Sequence, residues 1–355
     1  MAMKPLLSVL SAAALFGLTT PLAELLLGEV HPVALAGLLY AGVFLGLAAA
    51  RLAARCIRRR RGSPRPAGEA PLCGRDVPWL AGAILAGGIA APICLMLGLG
   101  RVSGFAGSLL LNFEAAATAF FAVLLFRENA GRRLWAALAF MTAAGALLAW
   151  NPAEGRLDVA GPLFVFAAMA GWGLDNNLTR QISDRDPVQI AMLKGLVAGA
   201  FSLSLAFGIG RGFALGRPVA AGLAVGALGY GWSLILFIKG LKDLGAFRAG
   251  AIFSVAPFAG AMASVLILGD RIKPVMAAAG LLMAAAVVLI VCEEHAHAHH
   301  HDRLMHTHAH AHSDLRHAHA HAGIEEPEPH SHEHTHEETD HVHGHWPDTH
   351  HRHGH

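Results

Sequence analysis

Long apolar segments separated by short polar ones dominate the first 292 residues of the chain. A segment of about twenty apolar residues is long enough to cross the ~30 Å hydrocarbon core of a bilayer as an α-helix. A helix satisfies its own backbone hydrogen bonds, so helices are the expected spanning elements. The pattern predicts an all-α polytopic membrane protein with ten transmembrane helices, at roughly 5–27, 32–54, 78–98, 103–126, 132–150, 159–178, 187–208, 219–239, 247–268 and 272–292.

The pattern changes abruptly at residue 293. The tail from 293 to 355 contains 3 Arg against 12 Asp and Glu, and all but one of the 24 histidines of the chain. It contains little apolar surface to bury, so we expect it to be disordered in the absence of metal. The body before it contains 24 Lys and Arg against 13 Asp and Glu. The predicted organisation is a membrane body, divided further below, followed by a His-rich tail.

The placement of Lys and Arg predicts the orientation, because cytoplasmic loops carry an excess of both. With a cytoplasmic N-terminus, the inner segments before the tail contain 17 basic residues and the outer loops contain 6. Ten crossings then return the C-terminus to the cytoplasm. The first segment could instead be a signal peptide, although it stays apolar as far as Leu27. The basic run at 56–66 is typical of a loop anchored near anionic lipid, and no nucleic-acid binding is expected.

The body contains an internal repeat. GLGRVSGFAGSLLLNFEAAATAFFAVLLFREN (98–129) aligns without gaps on GLKDLGAFRAGAIFSVAPFAGAMASVLILGDR (240–271), and LFGLTTPLA (15–23) aligns on GWGLDNNLT (171–179). The repeat divides the body into five-helix halves, residues 1–152 and 153–292. An odd number of crossings inverts the second half relative to the first, as in many secondary transporters.

These segments resemble the EamA-type transporters of the drug/metabolite transporter superfamily. The resemblance covers residues ~5–292. It depends on an aromatic-Gly pair in each half, Phe16-Gly17 and Trp172-Gly173, and on an acidic residue at the end of each repeated segment, Glu128 and Asp270. It implies a small-solute carrier of the bacterial inner membrane, often an exporter coupled to an ion gradient, and not an enzyme. It does not specify the solute.

Ionisable and amide side chains inside apolar segments are the candidate transport pathway. A charge near the bilayer centre costs at least ~2.5 kcal/mol, so each ionisable residue there is expected to have a partner or a function. Glu114 could be a proton or cation site or a structural hydrogen-bonding group, and Asp175 with Lys194 could form a structural ion pair or a gate. The candidate residues are Glu114, Asn112, Asp175, Asn176 and Lys194. In the repeat, Pro257 is expected to kink the ninth helix.

The histidines of the tail predict a binding site for a divalent transition metal. Neutral imidazole suits Zn²⁺, Ni²⁺ and Co²⁺, and histidines two residues apart lie on one face of an extended chain, ~7 Å from each other. The predicted ligands are His295, His297, His299, His300, His301, His306, His308, His310, His312, His317, His319, His321, His330, His332, His334 and His336.

Two functions remain open from the sequence. In the first, the protein transports a divalent metal (Zn, Ni or Co), and the tail buffers or senses that ion. In the second, the body exports a metabolite, and metal binding to the tail regulates it. The length of the tail favours the first, whereas the lack of membrane histidines opposes it. No cofactor is required in either case. The expected partners are lipid and a small solute or metal ion, and a homodimer is compatible with the sequence.

Overall fold

The computed structural model describes residues 3–61, 70–126, 132–151, 156–157, 159–182, 185–244, 252–291, 296–301, 304–310, 330–336 and 339–344. The described part of the body is mostly helical, with an antiparallel ladder between β1 (Trp150–Asn151) and β2 (Arg156–Leu157) and an isolated parallel bridge between Ala70 and Arg185. The helices are α1 Met3–Leu27, α2 Pro32–Arg61, α3 Val77–Ala83, α4 Ala91–Leu99, α5 Gly104–Leu110, α6 Phe113–Phe126, α7 Arg132–Ala149, α8 Ala160–Arg180, α9 Pro187–Gly208, α10 Arg217–Val225, α11 Ser233–Leu244, α12 Ala256–Leu268 and α13 Pro274–Val291.

Within the part of the chain that the structure describes, six helical segments are long and apolar enough to cross a membrane: Pro5–Leu27, Pro32–Arg60, Gly74–Leu99, Gly104–Leu125, Pro187–Gly208 and Arg217–Gly240. Three shorter apolar helices accompany them, at Trp135–Ala149, Ala256–Leu268 and Pro274–Leu289. Because exposed Leu, Phe and Val side chains cover much of their outer surface, lipid and not water is the solvent that suits them. The chain is a multi-pass membrane protein.

Local sequence signals explain where several helices begin and end. Ser103 caps α5 by accepting a hydrogen bond from the Ala106 amide at 3.3 Å. Asp186 caps α9 by accepting from the amides of Val188 and Gln189 at 2.9 and 3.2 Å. Such caps satisfy amides that have no partner inside the helix. Gly269, with a φ of 73°, ends α12 in the left-handed conformation that glycine adopts most readily.

The predicted helix at 103–126 is interrupted. Leu111 and Asn112 separate α5 from α6, and the equivalent helix of the second half is interrupted at Ser254 and Val255, just before α12. Pro257 therefore lies in the first turn of α12 and does not kink a continuous helix, because its missing N–H has no partner to lose there. Discontinuous helices are where many transporters place their solute and ion sites.

Two π-helical segments interrupt the α-helical hydrogen bonding, one in each half of the chain. Ile84–Ala90 joins α3 to α4, and Gly226–Trp232 joins α10 to α11. Both segments are rich in glycine, ILAGGIA and GALGYGW. A π turn shifts the hydrogen-bond register by one residue, and such turns occur often at functional sites. At Gly87 the carbonyl of this wider turn accepts side-chain hydrogen bonds, as described below.

The tail contains four short strands: β3 Ala296–His301, β4 Leu304–His310, β5 His330–His336 and β6 Thr339–Gly344. The strands pair antiparallel, β3 with β6 and β4 with β5. The expected disorder of the tail in the absence of metal stays a prediction. Histidine occupies alternate positions over much of these segments, and this period of two residues is that of a strand. The tail residues between the strands lie outside the described ranges.

Candidate functional site

Asp175 and Lys194 form an ion pair between α8 and α9. The Lys194 Nζ donates to both carboxylate oxygens, at 2.6 and 2.5 Å. Thr179, one turn further along α8, donates to the Asp175 Oδ1 at 2.8 Å. Asp175 is buried, with 5% of its surface exposed. The structure therefore brings together two charges that the sequence places nineteen residues apart, and their opposite signs cancel.

Glu114 lies in the first turn of α6, directly after the interruption at Leu111 and Asn112. Its Oε1 accepts a hydrogen bond from the Asn176 Nδ2 at 3.0 Å. The same amide contacts the Thr118 Oγ1 at 3.1 Å, and Thr118 donates to the Glu114 carbonyl at 2.8 Å. Asn176 is exposed and Glu114 is partly exposed. In a protein that spans a membrane, exposed polar side chains are expected to face water, since their exposure to lipid is costly.

Asn112 has a different environment from the other predicted pathway residues. It is buried, and its Nδ2 donates to the Leu109 carbonyl at 2.9 Å. This bond satisfies a carbonyl that the helix interruption leaves without its usual partner. The described contact of Asn112 is therefore local and structural. Its proposed part in the transport pathway stays a prediction.

The backbone carbonyl of Gly87, in the π-helical segment, is a feature that the sequence analysis missed. It accepts a hydrogen bond from the Tyr40 hydroxyl at 2.7 Å and another from the Trp172 Nε1 at 2.9 Å. The Asp175 side chain packs directly against the Gly87 Cα, where a Cβ would overlap it. A Gly-Gly pair inside an apolar segment was the available signal, since glycine there allows close backbone approach.

Aromatic rings from both halves meet beside these groups. We call Phe16, Tyr40, Trp172, Tyr230 and Phe253 the aromatic cluster. The Phe16 ring centroid lies 5.6 Å from those of Tyr230 and Phe253 and 6.5 Å from that of Trp172. The Tyr230 centroid lies 6.2 Å from those of both Tyr40 and Trp172. Trp172 and Asn176 are four residues apart and so share one face of α8, which places the cluster beside Glu114.

Two further ion pairs close one end of the bundle. The Arg185 Nε lies 2.8 Å from the Asp76 Oδ2, joining the α8–α9 loop to the helical turn before α3. Arg51, near the end of α2, pairs with the α9 cap Asp186. Because these contacts cross between separate helices, they hold this end of the bundle together.

His31, between α1 and α2, is the histidine outside the tail. Its Nδ1 accepts a hydrogen bond from the Val33 amide at 3.3 Å. Desolvation lowers the pKa of His31, and the nearby Arg211 guanidinium lowers it further. His31 is therefore neutral at pH 7. Among the side chains that the structure describes, no group of three or more His, Cys, Asp or Glu could hold a metal ion.

The predicted tail ligands are described only in part. His297, His299, His300, His301, His306, His308, His310, His330, His332, His334 and His336 lie on strands whose backbone the structure describes, and His295, His312, His317, His319 and His321 lie outside the described residues. Backbone pairing places histidines opposite each other, including His306 with His334 and His308 with His332. The metal site of the tail stays a prediction.

Comparison with known proteins agrees with a transporter fold. A curated relative described as an "Uncharacterized transporter", from Methanothermobacter thermautotrophicus, is 26% identical over 296 residues, covering 80% of this chain and 85% of the relative. A solved structure described as "Crystal structure of protein" has a TM-score of 0.55 and 20% identity, and covers 81% of this chain and 96% of that chain. This second likeness shows the fold alone.

The family comparison covers most of the chain. The model of the EamA-like transporter family matches twice, over residues 3–150 and 159–292, so that it includes every described helix and stops before the tail. Both the candidate pathway residues and the aromatic cluster fall inside the matched ranges. The chain belongs to the EamA-like transporter family.

Proposed function

We propose that this protein is a secondary transporter of a small organic solute, in which Glu114 carries the coupling proton. The observation that carries the proposal is the Glu114–Asn176 contact at a helix interruption. The Asp175–Lys194 ion pair and the aromatic cluster lie beside it. An accessible carboxyl group at bilayer depth can take up and release a proton as the site opens to either side. Rings from both halves can surround the apolar part of a solute.

We also propose that ten helices form two inverted five-helix repeats, residues 1–152 and 153–292. Equivalent contacts support this arrangement. Val9 packs on Gly240 as Val165 packs on Gly98, and Gly17 meets the backbone amide of Gly260 as Gly173 meets that of Thr118. Each pair of contacts is related by the repeat alignment. The double match of the family model points the same way.

The proposed location is the bacterial inner membrane, with both termini in the cytoplasm. The closed end with Asp76–Arg185 and Arg51–Asp186 is then the cytoplasmic end. Opening to the cytoplasm requires these pairs to separate, as alternating access between repeats demands. Lipid surrounds the body, and a homodimer is compatible with this arrangement.

A reporter fused after His355 is expected to show cytoplasmic activity, because basic residues concentrate on the side of the N-terminus. The measurement is paired alkaline phosphatase and green fluorescent protein fusions. As a control, a fusion in the loop at Arg101 should report the periplasm. A periplasmic signal after both His355 and Arg101 would overturn the ten-helix count, because seven of the predicted helices lie between them; a reversal of both signals would overturn only the orientation.

The described body favours an organic solute over a metal ion as cargo. Sites for transition metals usually combine several His, Cys or carboxylate ligands, and the described body contains no group of three. The candidate site instead combines two carboxylates, of which Asp175 is paired with Lys194, with two amides and aromatic rings. Transport of Zn, Ni or Co stays the second candidate function, and it depends on the histidines of the tail.

Cellular composition tests the choice between the two cargoes. Cells with and without the gene are compared for each metal and for organic metabolites. We expect the amount of an organic solute to differ between the two strains, while the content of each metal (Zn, Ni or Co) differs between them by less than ~20%. That margin is ordinary experimental scatter and lies far below a tenfold transport effect. A changed metal content with constant metabolites would instead establish metal transport.

We propose that the tail binds a divalent transition metal and regulates the transporter. Removing residues 295–355 is expected to leave a folded, inserted body, because the described helices end at Val291. It should abolish most binding of Ni²⁺ or Zn²⁺, measured by metal analysis of purified protein. Metal on the intact tail should dissociate as the pH falls through ~6.5, where imidazole becomes protonated.

The matched control is a full-length variant with Gln at each of the 23 histidines of the tail, which keeps the length of the tail. It should lose metal as completely as the truncated protein. Unchanged metal stoichiometry in either variant would place the principal sites in the body.

A further inference from the structure

α2 is longer than a bilayer crossing requires. Residues 32–50 carry no charge and, at ~1.5 Å per residue, are long enough to cross the ~30 Å hydrocarbon core. The helix then continues from Arg51 to Arg61, which adds ~15 Å. The headgroup layer of one leaflet is only ~5–8 Å thick, so at least the last turn extends beyond the headgroups. We call residues 55–61 the basic extension of α2, and its end can meet a partner in the aqueous phase.

The basic extension carries five arginines and no acidic residue. Arg55, Arg58 and Arg59 are separated by three or four residues along the helix or lie side by side, so they share one face. Arg55 and Arg59 are exposed and Arg58 is partly exposed. Arg51, one turn before them, pairs with Asp186, but none of these three forms an ion pair with another side chain that the structure describes. Because like charges one turn apart repel each other, this face favours an acidic partner.

The tail contains a segment that matches this face in charge. Residues 325–340, EEPEPHSHEHTHEETD, contain seven Asp and Glu and no Lys or Arg, and we call them the acidic segment. Its charge with neutral His is −7, against +5 for the basic extension. Two segments of opposite charge attract each other, more strongly at low ionic strength.

The acidic segment can reach the basic extension within one chain. With both termini in the cytoplasm, as proposed above, the ends of α2 and α13 lie on the same side of the membrane. α13 ends at Val291, and more than thirty residues separate it from the acidic segment. A coil of that length spans ~30 Å, whereas packed helices lie about 8–10 Å apart. A tethered partner also has an effective concentration on the order of millimolar, which favours the tail over a partner that binds from solution.

We propose that the acidic segment docks on the basic extension of α2 in the absence of metal, and that a divalent metal ion bound by the tail releases it. This inference rests on the proposed metal binding and regulation by the tail, and it names the surface through which they act. One bound divalent ion changes the charge of the acidic segment from −7 to −5, and two change it to −3. The attraction to the arginines falls in proportion. Four of the predicted ligands lie inside the acidic segment: His330, His332, His334 and His336.

The docking surface adjoins the closed end of the bundle. The basic extension begins one turn after Arg51, whose pair with Asp186 must separate when the transporter opens to the cytoplasm. The docked segment adds a contact between the first half, which contains α2, and the second half, which precedes the tail. Release of the segment by metal therefore makes this opening easier.

The experiment measures the distance between the two segments in the full-length protein. Spin labels are attached at Cys56, which is exposed within the basic extension, and at Ser331→Cys in the acidic segment, while Cys73, Cys94 and Cys292 are replaced by serine. The protein is placed in nanodiscs of phosphatidylcholine, a lipid without net charge, and distances are measured by double electron–electron resonance. Without metal and at low salt, we expect a narrow population much shorter than the broad distribution, of ~30 Å or more, that a free tail gives.

Two treatments should release the acidic segment. Saturating Zn²⁺, which is diamagnetic, should replace the short population by the broad one, and metal analysis of the same sample gives the bound stoichiometry. NaCl at ~1 M should have the same effect without metal, because it shortens the Debye length to ~3 Å.

Paired substitutions identify the docking surface. Arg58→Gln/Arg59→Gln should lower the ratio of docked to free protein about fivefold, because two charge pairs are lost. Arg58→Lys/Arg59→Lys keeps both charges and should leave that ratio close to the wild-type value. The matched control, Arg75→Gln/Arg132→Gln, removes two exposed arginines elsewhere on the same proposed side of the membrane and should leave the ratio unchanged.

The outcomes distinguish this inference from the proposed function. A broad distribution in phosphatidylcholine without metal, or an unchanged ratio in Arg58→Gln/Arg59→Gln, would overturn the docking. A short population that disappears when phosphatidylglycerol is added would also overturn it, since anionic lipid would then occupy the basic extension in a bacterial membrane. Zn²⁺ that binds without changing the distance would overturn the release and leave the proposed metal binding intact. If no Zn²⁺ binds, the proposed function of the tail fails, whereas a short distance still supports the docking.

Discussion

Replacing Glu114 by glutamine is expected to abolish transport driven by a pH gradient while leaving the protein folded in the membrane. Glutamine keeps the size of the side chain and an oxygen that accepts from Asn176, so the contact between α6 and α8 persists. It cannot take up or release a proton. We expect at least ~100-fold loss of rate, the scale of removing an obligatory proton-transfer group. Flux into reconstituted vesicles measures it.

Thr118→Val is the matched control for this substitution. Valine has nearly the same shape as threonine but removes the hydroxyl that contacts Asn176, so it disturbs the same hydrogen bonds without removing a titratable group. We expect it to keep at least about a fifth of the wild-type rate, since one neutral hydrogen bond contributes only ~1 kcal/mol. If Glu114→Gln instead transports normally between about pH 6 and 8, a range that spans neutral operating pH, Glu114 is a structural hydrogen-bonding group and the coupling site lies elsewhere.

Replacing Gly87 by alanine is expected to destabilise the protein strongly. The new Cβ would overlap the Asp175 carboxylate, which is held by Lys194 on its other side. Overpacking costs about 1–3 kcal/mol, and separating a buried ion pair costs about 3–5 kcal/mol. We expect the free energy of unfolding to fall by about 3 kcal/mol, because part of the clash relaxes by displacement. Thermal unfolding of the purified protein in detergent measures the loss.

Two other glycines calibrate this result. Gly208, at the end of α9, has nothing within 4 Å of an added Cβ, so Gly208→Ala should be neutral or slightly stabilising. Gly229 is related to Gly87 by the repeat, and its added Cβ would meet the neutral hydroxyl of Thr19. Gly229→Ala should therefore be intermediate. If Gly87→Ala is as stable as Gly208→Ala, the close packing of Asp175 on Gly87 is wrong.

Charged residues in apolar segments could be recognised from the sequence because lipid makes them conspicuous. Glu114, Asp175 and Lys194 were all identified in this way, and the structure brings Glu114 to Asn176 and Asp175 to Lys194. Their roles in transport remain predictions. Aromatic residues are not conspicuous in the same way, since they carry no charge and tyrosine and tryptophan are common at both membrane interfaces. The meeting of Phe16 with Tyr230 could not be predicted, because it joins residues more than two hundred positions apart.

The helix interruption beside Glu114 was also beyond the sequence analysis. GSLLLNFEAAAT contains no proline and reads as a continuous apolar helix. The structure interrupts it at Leu111 and Asn112, where the Asn112 side chain replaces one lost backbone partner. A break of this kind is stabilised by the helices packed around it and not by local propensity. Only the assembled bundle determines where such a break is tolerated.

The sequence by itself determined that this is a multi-pass helical membrane protein of the transporter type, with a separate His-rich tail. The length of the apolar segments, the spacing of the repeat and the composition can all be read from the sequence without a structure. The tertiary structure alone decided that the Gly87 carbonyl accepts from Tyr40 and Trp172, and that Glu114 accepts from Asn176 beside the aromatic cluster. Those features depend on distances between separate helices. Packing of small residues sets these distances, and no local pattern encodes them.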